Sequence, residues 1–138
     1  MQKIVIDTNV IVSAALTPGG NASKIIKSVS DGKAQAFYNN EILDEYSRVL
    51  AYERLNISAD KQKAVISSIE NSFTLLEPVT SSIPLIDEDD RVFYDTAKTA
   101  GAYLITGNTK HYPNEPFIIE PSDYLLKTSN TGIDIVDK

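Results

Sequence analysis

The chain predicts an α/β fold, a parallel sheet carrying helices on both faces in three layers. Three observations point there. Ile4-Val5-Ile6 is apolar without alternation, the pattern of a strand buried on both sides. Short apolar runs of this kind alternate with amphipathic helical segments along the sequence. The 138 residues, 42% hydrophobic and 23% charged, suit one globular domain with a real core and not a disordered or fibrous chain.

The elements follow in order. After Ile4 to Ile6, a helix over 10–16 stops before Pro18-Gly19-Gly20. The next, from Ala22 to Ser30, gathers Ile25, Ile26 and Val29 on one face and ends at Gly32. Ala34 to Tyr38 reads as a strand, and 40–51 as a helix with Ile42, Leu43, Tyr46, Val49 and Leu50 at core-facing spacing. Asn56-Ile57-Ser58 breaks the chain before a helix over 58–71, which enters through a polar cap and carries Ala64, Val65 and Ile69. Phe73 to Leu76 is a strand ending at Pro78. The acidic run from Asp87 to Asp90 leads into a helix over 89–100, with Val92, Phe93, Ala97 and Ala100 inward. Tyr103 to Thr106 and Phe117 to Ile119 supply the last strands. Residues 1–127 make a single domain. The stretch 128–138 lacks periodicity and reads as a fraying tail.

With no cysteine, the sequence excludes disulfide frameworks, thiol nucleophiles and thiolate zinc sites, and agrees with a reducing compartment. Asp7 and Asn9 interrupt what would otherwise pass for a secretion signal. No window reaches the ~18 apolar residues that a membrane helix needs. The expectation is a cytoplasmic protein with no membrane partner. A net charge of −6 argues against broad adhesion to nucleic acid, yet permits an enzyme whose acids are screened by bound cations.

In open α/β sheets, ligands sit beyond the carboxyl ends of the strands, and Asp7 is the first residue after its strand. Capping the next helix or making an Asx turn is the structural alternative for it. Thr106 and Asn108 stand at the carboxyl end of another apolar strand and would join Asp7 if the two strands are neighbours. Glu45 lies between Ile42 and Val49, at the border of its helix's apolar stripe, while Glu41, Asp44 and Arg48 point outward. A carboxylate there is costly unless paired, hydrogen-bonded or metal-bound, and a salt bridge at the rim of the core is the alternative. Asp90 opens a helix, where the macrodipole alone can account for acids. It also begins the unit whose strand ends beside Asn108. Asp95, about 140° further round that helix, is a weaker candidate, either solvent-facing or supporting the site.

Three carboxylates such as Asp7, Glu45 and Asp90 share a dry site only around a cation. Hard oxygen ligands without nearby His or Cys select Mg²⁺ or Mn²⁺, and such ions serve phosphodiester hydrolysis.

The segments "IVIDTNVIVSAAL", "ILDEYSRVL" and "DEDDRVFYDTAKTAGAYLITGN" resemble, in order and separation, the acidic motifs of PIN-domain ribonucleases, particularly the toxin components of toxin–antitoxin pairs. The likeness runs from about residue 3 to Tyr124. It implies a PIN-like α/β fold with Asp7, Glu45 and Asp90 as catalytic metal ligands, and Asn9 and Thr106 as residues that orient them. Asn108 falls where many members carry a fourth Asp. Its amide carbonyl is a poorer ligand, which sets a full two-metal site in question. The implied activity is a Mg²⁺- or Mn²⁺-dependent endoribonuclease in which a metal-activated water attacks RNA. The implied partners are a second copy of the chain and a small antitoxin that occupies the acidic groove.

Lys24, Lys27, Lys98 or Lys110 could contact phosphates locally without a basic surface, which permits the reading without supporting it; His111 is read as a surface loop residue, and Phe93 and Tyr94 as core. Two other readings stand beside the nuclease. One is a PIN-like binding module acting through a protein partner, with Asn108 marking decay of the site. The other uses Asp7 as a phosphotransfer nucleophile, but it needs a second acid two residues on, where this chain has Asn9.

Overall fold

Ile4, Val5 and Ile6 are fully buried in the computed structural model, which describes residues 1–136 and the side chains of residues 1–129. Successive strand residues face opposite sides, so β1 (Gln2–Ile6) is covered on both. The remaining strands are β2 (Ala34–Tyr38), β3 (Thr74–Leu75), β4 (Tyr103–Ile105) and β5 (Ile118–Ile119). They form a five-stranded sheet in the order β3-β2-β1-β4-β5, parallel throughout. Val5 pairs with Leu104, which makes β1 and β4 neighbours.

Among the described residues six α-helices cover the sheet: α1 (Thr8–Leu16), α2 (Asn21–Ser30), α3 (Asn40–Leu50), α4 (Ala59–Ser72), α5 (Arg91–Ala100) and α6 (Pro121–Val136). The crossovers from β1 to β2 and from β3 to β4 run in opposite directions along the sheet. Right-handed connections therefore place their helices on opposite faces. The strand order reverses at β1, opening a crevice beyond the carboxyl ends of β1 and β4.

Three features depart from the sequence reading. The segment 128–136, read as an aperiodic tail, continues helix α6; residues 137 and 138 lie outside the described residues. Tertiary contact with α2, and Tyr124 set edge-on against Tyr103 at 6.2 Å between ring centroids, hold that helix where apolar periodicity is weak. Helix α5 starts at Arg91, and a 3-10 turn over Glu88–Asp90 precedes it. Finally, α5 is buried all round from Val92 to Ala97, because the chain from Val79 to Ile83 crosses its outer side. Asp95 is therefore buried and not solvent-facing: its Oδ2 accepts from the Ser81 N–H at 3.0 Å.

Candidate active site

Asp7 stands at the crevice because its backbone extends the β1–β4 pairing by one more bond, its N–H donating to the Ile105 carbonyl at 2.9 Å. Its Oδ1 accepts from the Thr8 N–H at 2.8 Å and caps α1. Its Oδ2 accepts from the Thr106 hydroxyl at 2.8 Å, the Tyr112 phenol at 3.1 Å and the Asn9 amide at 3.3 Å. Asp7 is thus both the cap and part of a polar cluster. Burial still pushes its carboxyl above the usual range, and those four donors work against that shift.

Asn9 and Thr106 are mutual supports. The Asn9 Oδ1 accepts from the Gly107 N–H at 2.9 Å, and a Cβ at position 107 would meet that oxygen at 3.2 Å. Glycine permits this close approach. The Thr106 hydroxyl accepts from the Asn108 N–H at 3.0 Å, fixing the turn that leaves β4.

Glu45 faces the same place from α3. Asn39 starts this helix, its Oδ1 accepting from the Ile42 N–H at 3.1 Å, and Ile42, Tyr46 and Leu50 bury one face. Glu45 sits beside that face, half-buried, where its Oε2 takes the Thr8 hydroxyl and its Oε1 lies 3.8 Å from Arg48. Burial raises its pKa, Thr8 lowers it, and the Asp7 charge raises it further.

The acidic run divides its labour. Glu88 holds Arg91 through two bonds of 2.7 Å, and Arg91 in turn donates to the carbonyls of Ser81 and Ile83. Asp87 caps the turn by accepting from the Asp89 N–H at 3.0 Å. Asp87 and Asp89 also border the cleft from exposed positions, whereas Asp90 is half-buried. One of its oxygens, Oδ2, is buried with no hydrogen-bond partner. Burial, then repulsion from Asp7 and Asp87, lifts its pKa to about 7 against the pull of His111, and Glu45 raises it too.

Asp7, Glu45 and Asp90 line a single cleft of about 580 Å³, together with Asn9, Asn108 and His111. Three elements distant in sequence thus meet there. Asp95 is not among the lining residues. Neither are the four lysines expected to touch phosphate: Lys27 pairs with Asp31 at 2.9 Å and Lys98 with Glu115 at 3.7 Å. Phe93 and Tyr94 are buried in the core, as read from their spacing. His111, exposed in a loop-like turn, nevertheless faces the acids.

A family model described as "PIN domain" matches residues 3–110. The chain belongs to the PIN-domain family. PIN domains are generally nucleases and typically use divalent metal ions. The chain is 28% identical over 109 residues to "Uncharacterized protein MJ1680" of Methanocaldococcus jannaschii, covering 77% of this chain and 70% of that protein. In fold it is similar to PAE2754 from Pyrobaculum aerophilum, with a TM-score of 0.61 at 15% identity, over 94% of this chain and 90% of the other.

The donor set of this PIN domain suits a hard divalent cation: carboxylate oxygens, each raised in pKa, one of them buried without a partner. Among the described residues, no three His, Cys, Asp or Glu side chains already stand where they could hold an ion. Glu45 is turned toward Thr8 and Arg48. The chemistry fits the ion, and the arrangement is open.

Sequence reading missed two partners of the acids. Thr8 was in view inside the "DTN" triplet, but nothing in a triplet shows that its hydroxyl reaches a helix 37 residues away. Tyr112 left no signal at all, because its reach to Asp7 depends on the turn over Thr109–His111.

Proposed function

We propose that this PIN domain is an endoribonuclease that hydrolyses RNA phosphodiester bonds with Mg²⁺ or Mn²⁺ held by Asp7, Glu45 and Asp90. The observation that carries the reading is the meeting of Asp7, Glu45 and Asp90 in one cleft; the buried, unpartnered Asp90 oxygen supports it. A divalent ion, when bound, would neutralise these acids, activate a water and offset charge developing on the phosphate. The protein's part is to fix the ligands. Thr106, Tyr112, Asn9 and the Thr8 N–H hold both Asp7 oxygens in place, and the 3-10 turn pinned by Arg91 presents Asp90. Asn108 borders the cleft as an amide, a poor ligand for a second ion.

Purified protein incubated with single-stranded RNA and Mn²⁺ tests this directly. Wild type should cleave, Asp7→Asn and Asp90→Asn should not, and equal activity in all three would mark a contaminant.

A second reading is a catalytically weakened PIN-like module that acts through a protein partner. Asn108 and the open arrangement of the acids favour it. A working site should raise the melting temperature when Mn²⁺ is added. No response to the metal would favour the module.

The same proposal makes the chain a toxin of a toxin–antitoxin pair, acting in the cytoplasm as a homodimer with an antitoxin partner. Its support is the motif resemblance. Among the described residues no helix is long and apolar enough to cross a membrane. Growth arrest on expression of wild type, absent with Asp7→Asn, is the expected result; growth indifferent to both counts against the toxin.

A further inference from the structure

A chain with a net charge of −6 and a cleft lined by Asp7, Glu45, Asp87, Asp89 and Asp90 needs some feature that admits a polyanion. None of the lysines named above supplies it. Following α3 from Glu45 toward its C-terminus, the cleft wall changes sign. Arg48 comes one turn on, about 4.5 Å along the axis, followed by Tyr52 and then Arg54 in a 3-10 turn over Glu53–Leu55. Arg48 and Arg54 are exposed, and Tyr52 is 37% exposed. The Arg48 Nη1 donates to the Tyr52 hydroxyl at 3.2 Å, and the Arg54 guanidinium lies 5.4 Å from the centroid of the same ring. One ring therefore organises two guanidiniums. Arg54 makes no ion pair among the described residues, and Arg48 meets Glu45 only at 3.8 Å, so both retain donors for a ligand.

Guanidinium presents a planar fork that matches phosphate oxygens, and an aromatic ring beside it offers a surface on which a base can stack. We propose that Arg48, Tyr52 and Arg54 form the track that grips the RNA backbone next to the scissile phosphate. The track leads a single strand into the cleft along the end of α3. This rests on the ribonuclease reading and adds where the substrate is held. It also answers the charge conflict, since a local row of two arginines on the cleft wall replaces a basic face.

The test measures binding of a fluorescently labelled, mixed-sequence single-stranded RNA to full-length Asp90→Asn protein across a range of KCl, with wild-type cleavage assayed in parallel. Arg48→Gln and Arg54→Gln should each weaken binding several-fold and reduce the slope of log K against log[salt] by about 0.7. Arg54→Lys should keep the slope, and Lys98→Gln, away from the cleft, should change neither quantity. In the cleaving protein, Arg54→Gln should raise KM far more than it lowers kcat. If wild type cleaves RNA while both arginine variants bind with unchanged affinity and slope, the track is wrong and the nuclease reading stands. If polyglutamate displaces the RNA at equal charge, the row is a face for an acidic protein and the proposal fails. If wild type neither cleaves nor binds RNA, both fall together. Both arginines are exposed, and an unchanged melting temperature confirms that the variants fold.

Discussion

Asp7 and Asp90 share a cleft but are built in opposite ways. Asp7 is committed by the protein: both oxygens are engaged, by donors from α1, from the end of β4 and from the turn at Tyr112. Asp90 is left uncommitted, with one oxygen buried and bare and its pKa lifted to about 7 by burial and by its acidic neighbours. The contrast separates two jobs. A fixed carboxylate defines where a cation sits before it arrives, and an unsatisfied one supplies the drive to bind it. An unsatisfied buried carboxylate lowers the stability of the metal-free fold, as expected where stability is exchanged for function.

The largest effect that follows is on catalysis. Both Asp7→Asn and Asp90→Asn should reduce RNA cleavage by more than the ~10- to 100-fold typical of residues that merely orient a ligand. Initial rates with Mn²⁺ check this, and a mild loss in either variant would mean that the residue is not a ligand. The two variants should then part company in stability. Asp7→Asn turns an amide donor toward groups that already donate, so it should cost about 1–2 kcal/mol. Asp90→Asn removes a repelled charge and should leave the metal-free protein as stable as wild type or more so. Urea melts without metal measure both, and equal losses would erase the distinction drawn here.

Tyr112 sharpens the comparison from the fixed side. Tyr112→Phe deletes one of the Asp7 donors and should cost about 1 kcal/mol together with roughly tenfold in rate. A variant with full activity would show that Thr106 and Asn9 suffice.

The remaining effect is on pH. The folded pKa of Asp90, about 7, lies above its ordinary value of 3.8, so between those values the folded state binds more protons than the unfolded one. Stability of the metal-free protein should therefore fall as pH rises from about 4 to 7 on account of this group, and level off above. Asp7 and Glu45 shift in the same direction. Protons compete with the cation, so the rise in melting temperature on adding Mn²⁺ should be larger at pH 8 than at pH 6. A rise independent of pH would place the ion elsewhere.

The strand-end position of Asp7 and its meeting with Thr106 were legible because a parallel sheet puts strand ends together whatever the loops do. Glu45's place at the border of its helix's apolar stripe was legible from helical phase, and there it meets Arg48 and lines the cleft. Of the two readings of Asp95, the solvent-facing one fails because helical phase assumes that one side of a helix meets water. Here an irregular segment, without periodicity of its own, covers that side. Arg48 was read only as outward-pointing and Arg54 was not singled out, for a related reason: an exposed arginine has the same sequence pattern whether it faces solvent or a cleft. Helix α6, which packs against α2, was hidden because its residues from Thr128 onward show no regular apolar spacing.

Asp7, Glu45 and Asp90 should converge on one divalent cation. A crystal soaked in Mn²⁺ and measured for anomalous scattering tests it most directly. A peak is expected within coordination distance of carboxylate oxygens from all three residues, with the bare Asp90 oxygen among the ligands. A well-occupied peak elsewhere, or none at millimolar Mn²⁺ with the cleft open to solvent, would contradict it.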